Sequence, residues 1–300
     1  MDRAVYEEWF ELETYHWWFV GRRILFIRLL EQALVMGASE LKTGLRMVDM
    51  GCGTGVMLDS LSRFGEVIGV DVSRTALSFC RERKPYVLCQ APMDHLPFRS
   101  GRIDLLTAFD VLEHGEDDQA MLREAYRVCA PGGLAMFSVP AYHFMWGDHD
   151  VAAHHYRRYS SEEIRKIVER AGFHIRRMTY LNSFLFPLSV VFRHSKNVLV
   201  YALRRMGISV RPRSDFRSTG LPLMNPILLK IFRAESLLLR QTNLPFGLTI
   251  CCIAQKPGLT SAASSDQADA GHGARMTFLS QRSRRNLDRL RVLLLEEDTA

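Results

Sequence analysis

The chain has 300 residues, 47% of them hydrophobic and 24% charged. That balance supports a packed core and excludes a disordered, collagen-like or coiled-coil chain. Thirty-nine Lys and Arg against 33 Asp and Glu leave +6, an excess that bears on partners only where it is clustered.

Residues 1–44 carry the aromatic run Trp17-Trp18-Phe19 and are expected to form a helical cover. Between 45 and 138, short β-branched runs alternate with longer amphipathic stretches, the order of a parallel sheet covered by helices. The pattern predicts strands over 45–50, 66–72, 86–90, 103–109 and 133–139, and helices over 56–64, 73–83 and 117–129. Ser73 is the expected N-cap of the second helix, and Gly132 the stop signal beyond the third. A further helix opens at Ser160 and Ser161, aligns Ile164, Ile167, Val168 and Ala171, and stops at Gly172 before a strand over 173–180. A late strand is expected over 248–255. The unit is a doubly wound α/β domain over 45–256, with 181–247 reading as an insertion between its last two strands. Residues 257–300 read as linker and tail, because 258–274 is rich in Ser, Ala, Asp and Gly; a short helix over 282–297 is expected to be marginal alone.

Six cysteines, Cys52, Cys80, Cys89, Cys129, Cys251 and Cys252, show neither a CxxC pair nor His-rich spacing. That argues against structural zinc and a disulfide framework, and predicts a reducing compartment. The first residues lack the basic start and apolar run of a signal peptide, so a cytoplasmic chain is expected.

The first strand runs into Asp49-Met50-Gly51-Cys52-Gly53-Thr54-Gly55 and then at once into a helix. Glycines there let backbone N–H groups approach a ligand at the positive end of a helix. Asp71 ends the second strand, placed to accept hydrogen bonds from ribose hydroxyls. Together they point to an adenosine-bearing cofactor. A dinucleotide fingerprint wants Gly or Ala where Val56 stands, and no Lys follows the turn as a triphosphate loop requires. Asp49 fits badly beside a pyrophosphate and well beside an amino group.

From Val48 to Gly55 the sequence resembles the first motif of class I S-adenosylmethionine-dependent methyltransferases. Asp71 matches the family's ribose-binding acid, and Met93-Asp94-His95-Leu96-Pro97-Phe98 its adenine-side loop. The stretch from Ile103-Asp104 to Asp110-Val111-Leu112-Glu113-His114 resembles its fourth-strand motif, and Pro131-Gly132-Gly133 the turn before the fifth strand. The resemblance implies a mostly parallel seven-stranded Rossmann-like sheet with helices on both faces. It implies S-adenosylmethionine as cofactor, held by Asp49, Gly51, Cys52, Gly53, Thr54, Gly55, Asp71, Val72, Met93, Asp94, Phe109, Asp110 and Val111. Asp49 and the glycines would face the methionine moiety, Asp71 the ribose, Met93 and Asp94 the adenine, and Phe109 and Asp110 the reacting end. Trp17-Trp18-Phe19 with Arg22, and His155-Tyr156-Arg157-Arg158-Tyr159, resemble a bacterial subgroup that keeps company with glycan and lipid biosynthesis. The partner implied is a small-molecule acceptor, with no metal. A nicotinamide-dependent oxidoreductase and a catalytically silent relative remain open as alternatives.

A sulfonium-borne methyl group is already activated, so the protein has mainly to align the acceptor and exclude water. Where the acceptor is a hydroxyl, amine or acidic carbon, a general base helps; His114 leads the candidates and His155 is second. Each is equally readable as a structural histidine. Tyr15, Trp17, Trp18 and Phe19 are readable either as a cover over the cofactor or as core, and Arg157 and Arg158 as solvated surface or as acid-binding groups. Residues 181–220 hold seven cations (Arg193, Lys196, Arg204, Arg205, Arg211, Arg213 and Arg217) against Asp215 alone. They are interleaved with Phe184, Leu188, Val191, Phe192, Leu199 and Tyr201. The stretch is too interrupted to span a bilayer and reads either as a surface for an anionic membrane or as a lid or dimer face. The mixture of cations with large aliphatic side chains argues against nucleic acid. The oligomeric state is not legible.

Overall fold

In a computed structural model of the chain, the described residues are 3–35, 44–209 and 224–258. The expected linker and tail helix, and Arg211, Arg213, Asp215 and Arg217, lie outside them. The chain enters through α1 (Arg3–Leu12) and α2 (Trp17–Val35), then alternates β1 (Leu45–Met50), α3 (Val56–Leu61), β2 (Gly65–Asp71), α4 (Arg74–Arg83), β3 (Val87–Gln90), β4 (Ile103–Phe109), α5 (Asp118–Val128) and β5 (Cys129–Pro140). It continues through α6 (Asp148–Ala152), α7 (Ser161–Arg170), β6 (His174–Leu181), α8 (Phe186–Arg205), α9 (Asn225–Leu238) and β7 (Thr249–Gln255).

The seven strands lie in the order β3-β2-β1-β4-β5-β7-β6. β7 runs antiparallel to both its neighbours, and the other pairs are parallel. Helices cover both faces, as a doubly wound sheet requires. On one face α5 and α7 pack Leu122, Ala125, Ile164 and Val168 against Leu106, Phe137 and Cys252. On the other, α2 and α9 pack Leu25, Leu29 and Phe232 against Met47, Leu105, Met136 and Ile253. The strand order reverses between β1 and β4, and crevices at the carboxyl ends of strands flanking such a reversal are where ligands of this architecture bind.

Local signals explain most boundaries. The Ser73 hydroxyl accepts from Ala76 N–H at 3.2 Å, and the Asp117 carboxylate from Ala120 N–H at 2.8 Å, so each caps its helix. Ser160 and Glu163 close a capping box on α7. α3 stops at Leu61, short of the expected 64, because the chain must turn into β2: a Cβ on Gly65 would lie 2.1 Å from the Leu45 carbonyl oxygen. β5 starts at Cys129, before the expected 133, because a register shift opposite Ile103 and Leu105 lets Pro131-Gly132-Gly133 bulge inside the strand.

Trp17 and Trp18 lean on Phe232 of α9, with ring centroids 5.8 and 6.4 Å apart. Gly21 sits at the same crossing, where an added Cβ would fall 2.4 Å from the Phe232 ring. Gly21→Ala therefore opposes two effects: helix propensity alone would stabilise by about 1 kcal/mol, whereas overpacking costs roughly 1–3 kcal/mol. We expect the clash to win and Tm to fall in a thermal melt; a rise would mean that α9 does not approach α2 this closely.

Candidate functional site

β1 delivers the chain into a turn in which Gly51, Gly53 and Gly55 take φ of +68°, +54° and +83°. L side chains avoid this region. Two of the glycines also answer close approaches, since a Cβ on Gly51 would lie 2.4 Å from the Val111 side chain and one on Gly55 2.3 Å from Cys80 Sγ. At Gly53 such a Cβ would meet nothing within 4 Å, so the turn opens there. Gly53 N–H donates to Asp71 Oδ2 at 2.9 Å, and Ser73 N–H to Asp71 Oδ1 at 2.8 Å. Asp71 thus ties the turn to the end of β2. Burial raises its pKa, opposed by those backbone hydrogen bonds.

Asp49 lies on β1 just below the turn and is buried. Its Oδ1 accepts from Thr107 Oγ1 at 2.6 Å. Burial, reinforced by the negative Asp71, pushes its pKa up to about 7, so the site favours a cation beside it. Cys52 and Thr54 are buried. Thr54 Oγ1 donates to the Glu13 carboxylate, which also pairs with Arg83 at 2.8 Å, while Arg83 donates to the carbonyls of Thr54 (2.8 Å) and Phe10 (2.9 Å). The end of α1 and the glycine turn are therefore clamped through α4. Sequence reading missed Glu13 and Arg83, whose meeting depends on where α1 docks.

Val72 is exposed beyond β2, and Met93 and Asp94 lie at the rim of the loop after β3, half-buried and exposed respectively. That loop is anchored by buried Leu96 and Phe98, with Leu96 N–H donating to Glu124 at 2.6 Å. Phe109 stacks on Phe26 of α2 with centroids 4.3 Å apart, which commits one face of its ring to the core. Asp110 holds φ at +54°, donates its N–H to the Ser138 carbonyl at 2.9 Å and forms an ion pair with Arg22. Asp104, further back on β4, forms a bidentate pair with Arg46 at 2.9 and 2.8 Å, remote from this end.

The two candidate bases come together, His114 and His155 meeting edge to face with centroids 4.7 Å apart. Burial, then the neighbouring His155, lowers the His114 pKa to about 4, so His114 is neutral at physiological pH. His155 Nδ1 lies 3.0 Å from Asp150 Oδ1, which also accepts from Arg158 Nε at 2.8 Å. These partners hold the Asp150 carboxyl far below the usual carboxylate range against the effect of its burial. Arg158 is buried, and Arg157 pairs with Asp118 at 3.2 Å; both engage internal carboxylates. Tyr142 and His154 hold φ of +63° and +58° beside this cluster, strain of the kind that gathers at functional sites.

Glu113 is fully buried beside the histidines, and among the described residues neither of its carboxylate oxygens finds a hydrogen-bond partner. Burial first, then Asp110, drives its pKa well upward. Ligand atoms of Glu113, His114 and His155 lie within 4.8 Å of one another, a spacing compatible with a divalent cation. Asn182, at the carboxyl end of β6, is 1% exposed with both side-chain amide atoms unpartnered among the described residues. Asp150 and Asn182 carry no sequence signal, because both act through tertiary neighbours.

Residues 48–137 match the family described as a methyltransferase domain. The chain carries a class I S-adenosylmethionine-dependent methyltransferase domain. A probable S-adenosylmethionine-dependent methyltransferase of Mycobacterium tuberculosis is 29% identical over 167 residues, 54% of this chain and 58% of that protein. A ubiquinone biosynthesis O-methyltransferase of Methylococcus capsulatus is 32% identical over 105 residues, 32% of this chain and 43% of that one. The match thus spans little more than half the length of the first of these relatives and less than half of the second. Among solved structures, the methyltransferase domain shares its fold with a chain in the complex of the Haloferax volcanii Trm112 methyltransferase activator, with a TM-score of 0.51, 17% identity, and 84% and 97% of the two chains covered. An S-adenosylmethionine-dependent methyltransferase from Thermotoga maritima gives 0.50 at 14% identity, covering 84% and 95%.

Because the Asp49 pKa stands near 7 in the folded domain and near 4 in an unfolded chain, the folded form retains a proton over that window which the unfolded form has released. Stability from this group is therefore lost as pH rises from about 4 to about 7. Asp49→Asn is expected to leave the denaturation midpoint unchanged near pH 4 and to raise stability at pH 8, by at most about 4 kcal/mol. Denaturant melts at the two pH values check this, and an equal effect at both would refute it.

Proposed function

We propose that the chain moves a methyl group from S-adenosylmethionine to a small acceptor on a lipid- or glycan-linked precursor. The observation that carries the reading is the glycine turn after β1, open at Gly53 and tied to Asp71, at the carboxyl ends of strands where the sheet order reverses between β1 and β4, with the paired histidines in the chain that follows. The residues present suit the donor. Its ammonium would sit beside Asp49 and relieve the buried carboxylate, its ribose would meet Asp71, and Val72, Met93 and Asp94 would border its adenine. When bound, it supplies a methyl group made electrophilic by the sulfonium.

The protein's own part is to place the acceptor in line and keep water out, which can be worth effective molarities of roughly 10⁵ M or more. Proton removal falls to the histidine pair. His114, with a pKa of about 4, binds a proton poorly at neutral pH. His155 has the better support, because Asp150 orients its Nδ1–H and would stabilise the imidazolium formed when Nε2 takes the acceptor proton. The O-methyltransferase relative supports an oxygen acceptor, and the apolar, basic α8 beside the site supports a lipid-borne one.

Calorimetric titration with S-adenosylmethionine should show binding to the full chain, and Asp71→Ala should weaken it at least about tenfold, the cost of leaving ribose hydroxyls unpaired. An unchanged dissociation constant would remove the ribose assignment, and binding of a nicotinamide dinucleotide instead would remove the donor. With isotopically labelled donor and a bacterial lipid extract, His155→Ala should cut turnover about 10²-fold or more with donor affinity intact. Donor binding without label transfer from the wild-type chain would favour a silent relative.

A further inference from the structure

The helix α8 is mounted the wrong way round for a soluble protein. Its polar stripe faces the domain: Arg193 donates to the Met145 carbonyl at 2.7 Å, Asn197 to the Trp146 carbonyl at 3.0 Å, and Arg204 pairs with Asp148 at 3.1 Å. These positions recur at helical spacing and share one face. The opposite face, at 188, 191, 192, 198, 199 and 206, is apolar and points outward, with Leu188 67%, Val191 64% and Leu199 60% exposed. Single exposed aliphatic residues are ordinary, but a stripe of them over five turns, broken only by Ser195 among the described residues, marks an interaction surface.

Charge identifies the partner. Residues 181–247 contain ten Lys and Arg against two acids, Asp215 and Glu235. Among the described residues of that stretch the single acid, Glu235, is buried, receiving the backbone N–H groups of Asn182 (2.6 Å) and Ser183 (2.9 Å). Apart from Arg204, which pairs with Asp148, the exposed charges there, Arg205 on α8 and Lys230, Arg233 and Arg240 on or just after α9, are all cationic. α9 adds exposed Ile227 and Leu237 on either side of Lys230 and Arg233 in the sequence. No described helix is long and apolar enough to cross a membrane, so the combination is that of a segment lying in the plane of an interface.

We infer that the outward apolar face of α8, together with the exposed cations of the same 181–247 segment, docks the protein on the surface of an anionic lipid bilayer. The apolar stripe enters the boundary between headgroups and acyl chains, and the cations meet lipid phosphates. The docking surface is joined to the site, since Arg193 reaches Asp150 at 3.3 Å and Asp150 holds His155 at 3.0 Å. A chain seated this way receives a lipid-borne acceptor beside the histidine pair. The docking itself does not depend on the methyl-transfer reading.

Co-sedimentation of the full chain with phosphatidylcholine vesicles, with and without phosphatidylglycerol, tests it. Binding is expected with the anionic vesicles at low salt, weakening as salt rises. Val191→Asp with Leu199→Asp should reduce it at least about tenfold by removing insertion, and Arg205→Glu with Lys230→Glu should do so about tenfold or more on anionic vesicles alone. Both double variants should bind S-adenosylmethionine as the wild type does, which shows that the fold survives and separates this test from the methyl-transfer reading. Wild-type protein left in the supernatant, or a Val191/Leu199 variant that sediments like the wild type, overturns the proposal. So does a wild-type dimer in light scattering that the same variant splits without any vesicle binding, because the apolar face would then belong to a second copy.

Discussion

Everything at the carboxyl edge of the sheet depends on one short tie, the two backbone hydrogen bonds that the Asp71 carboxylate accepts from Gly53 and Ser73. The first holds a turn that only glycines can make without strain, and the second fixes the start of α4. One side chain thus sets the shape of the turn and the spacing between β1 and β2. Gly51 must then lie against Val111 and Gly55 against Cys80, which fixes the chain after β4 and the helix after β2 relative to the same crevice.

Three buried acids along that edge meet three different fates. Asp49 has a hydroxyl donor and, among the described residues, no paired cation, and its pKa climbs to about 7. Asp150 has His155 and two arginines and stays ionised. Glu113 has no hydrogen-bond donor among the described residues and is driven toward the protonated form. Desolvation acts on all of them, and the partners decide the outcome. A domain that buries carboxylates it does not fully compensate holds back favourable interactions for a ligand, at some expense in stability.

The clamp of residues 153–159 shows how a polar sequence becomes a rigid wall. Arg157 and Arg158 read in the chain as solvated surface or acid-binding groups, yet together with His155 and Tyr159 they find their partners in Asp150 and Asp118 within the domain. Asp150 also carries the connection outward to Arg193 of α8, so the surface helix and the histidine pair share a support.

The sequence by itself determined what is local. Alternating runs gave the strand order along the chain, Ser73, Asp117 and Ser160 placed helix starts, and the glycine spacing with Asp71 marked the cofactor crevice, because each depends on residues a few positions apart or on strands joined by one helix. Only the tertiary structure decided the meeting of His114 with His155, the locking of Thr54 by Glu13 and Arg83, the burial of Glu113 and Asn182, and the side that α8 turns to solvent. Those contacts join residues 29 or more apart, or depend on how a helix is rotated about its axis. Amphipathic spacing reveals that a helix has two faces; which face meets the protein is set by the partners, here the Met145 and Trp146 carbonyls and the Asp148 carboxylate.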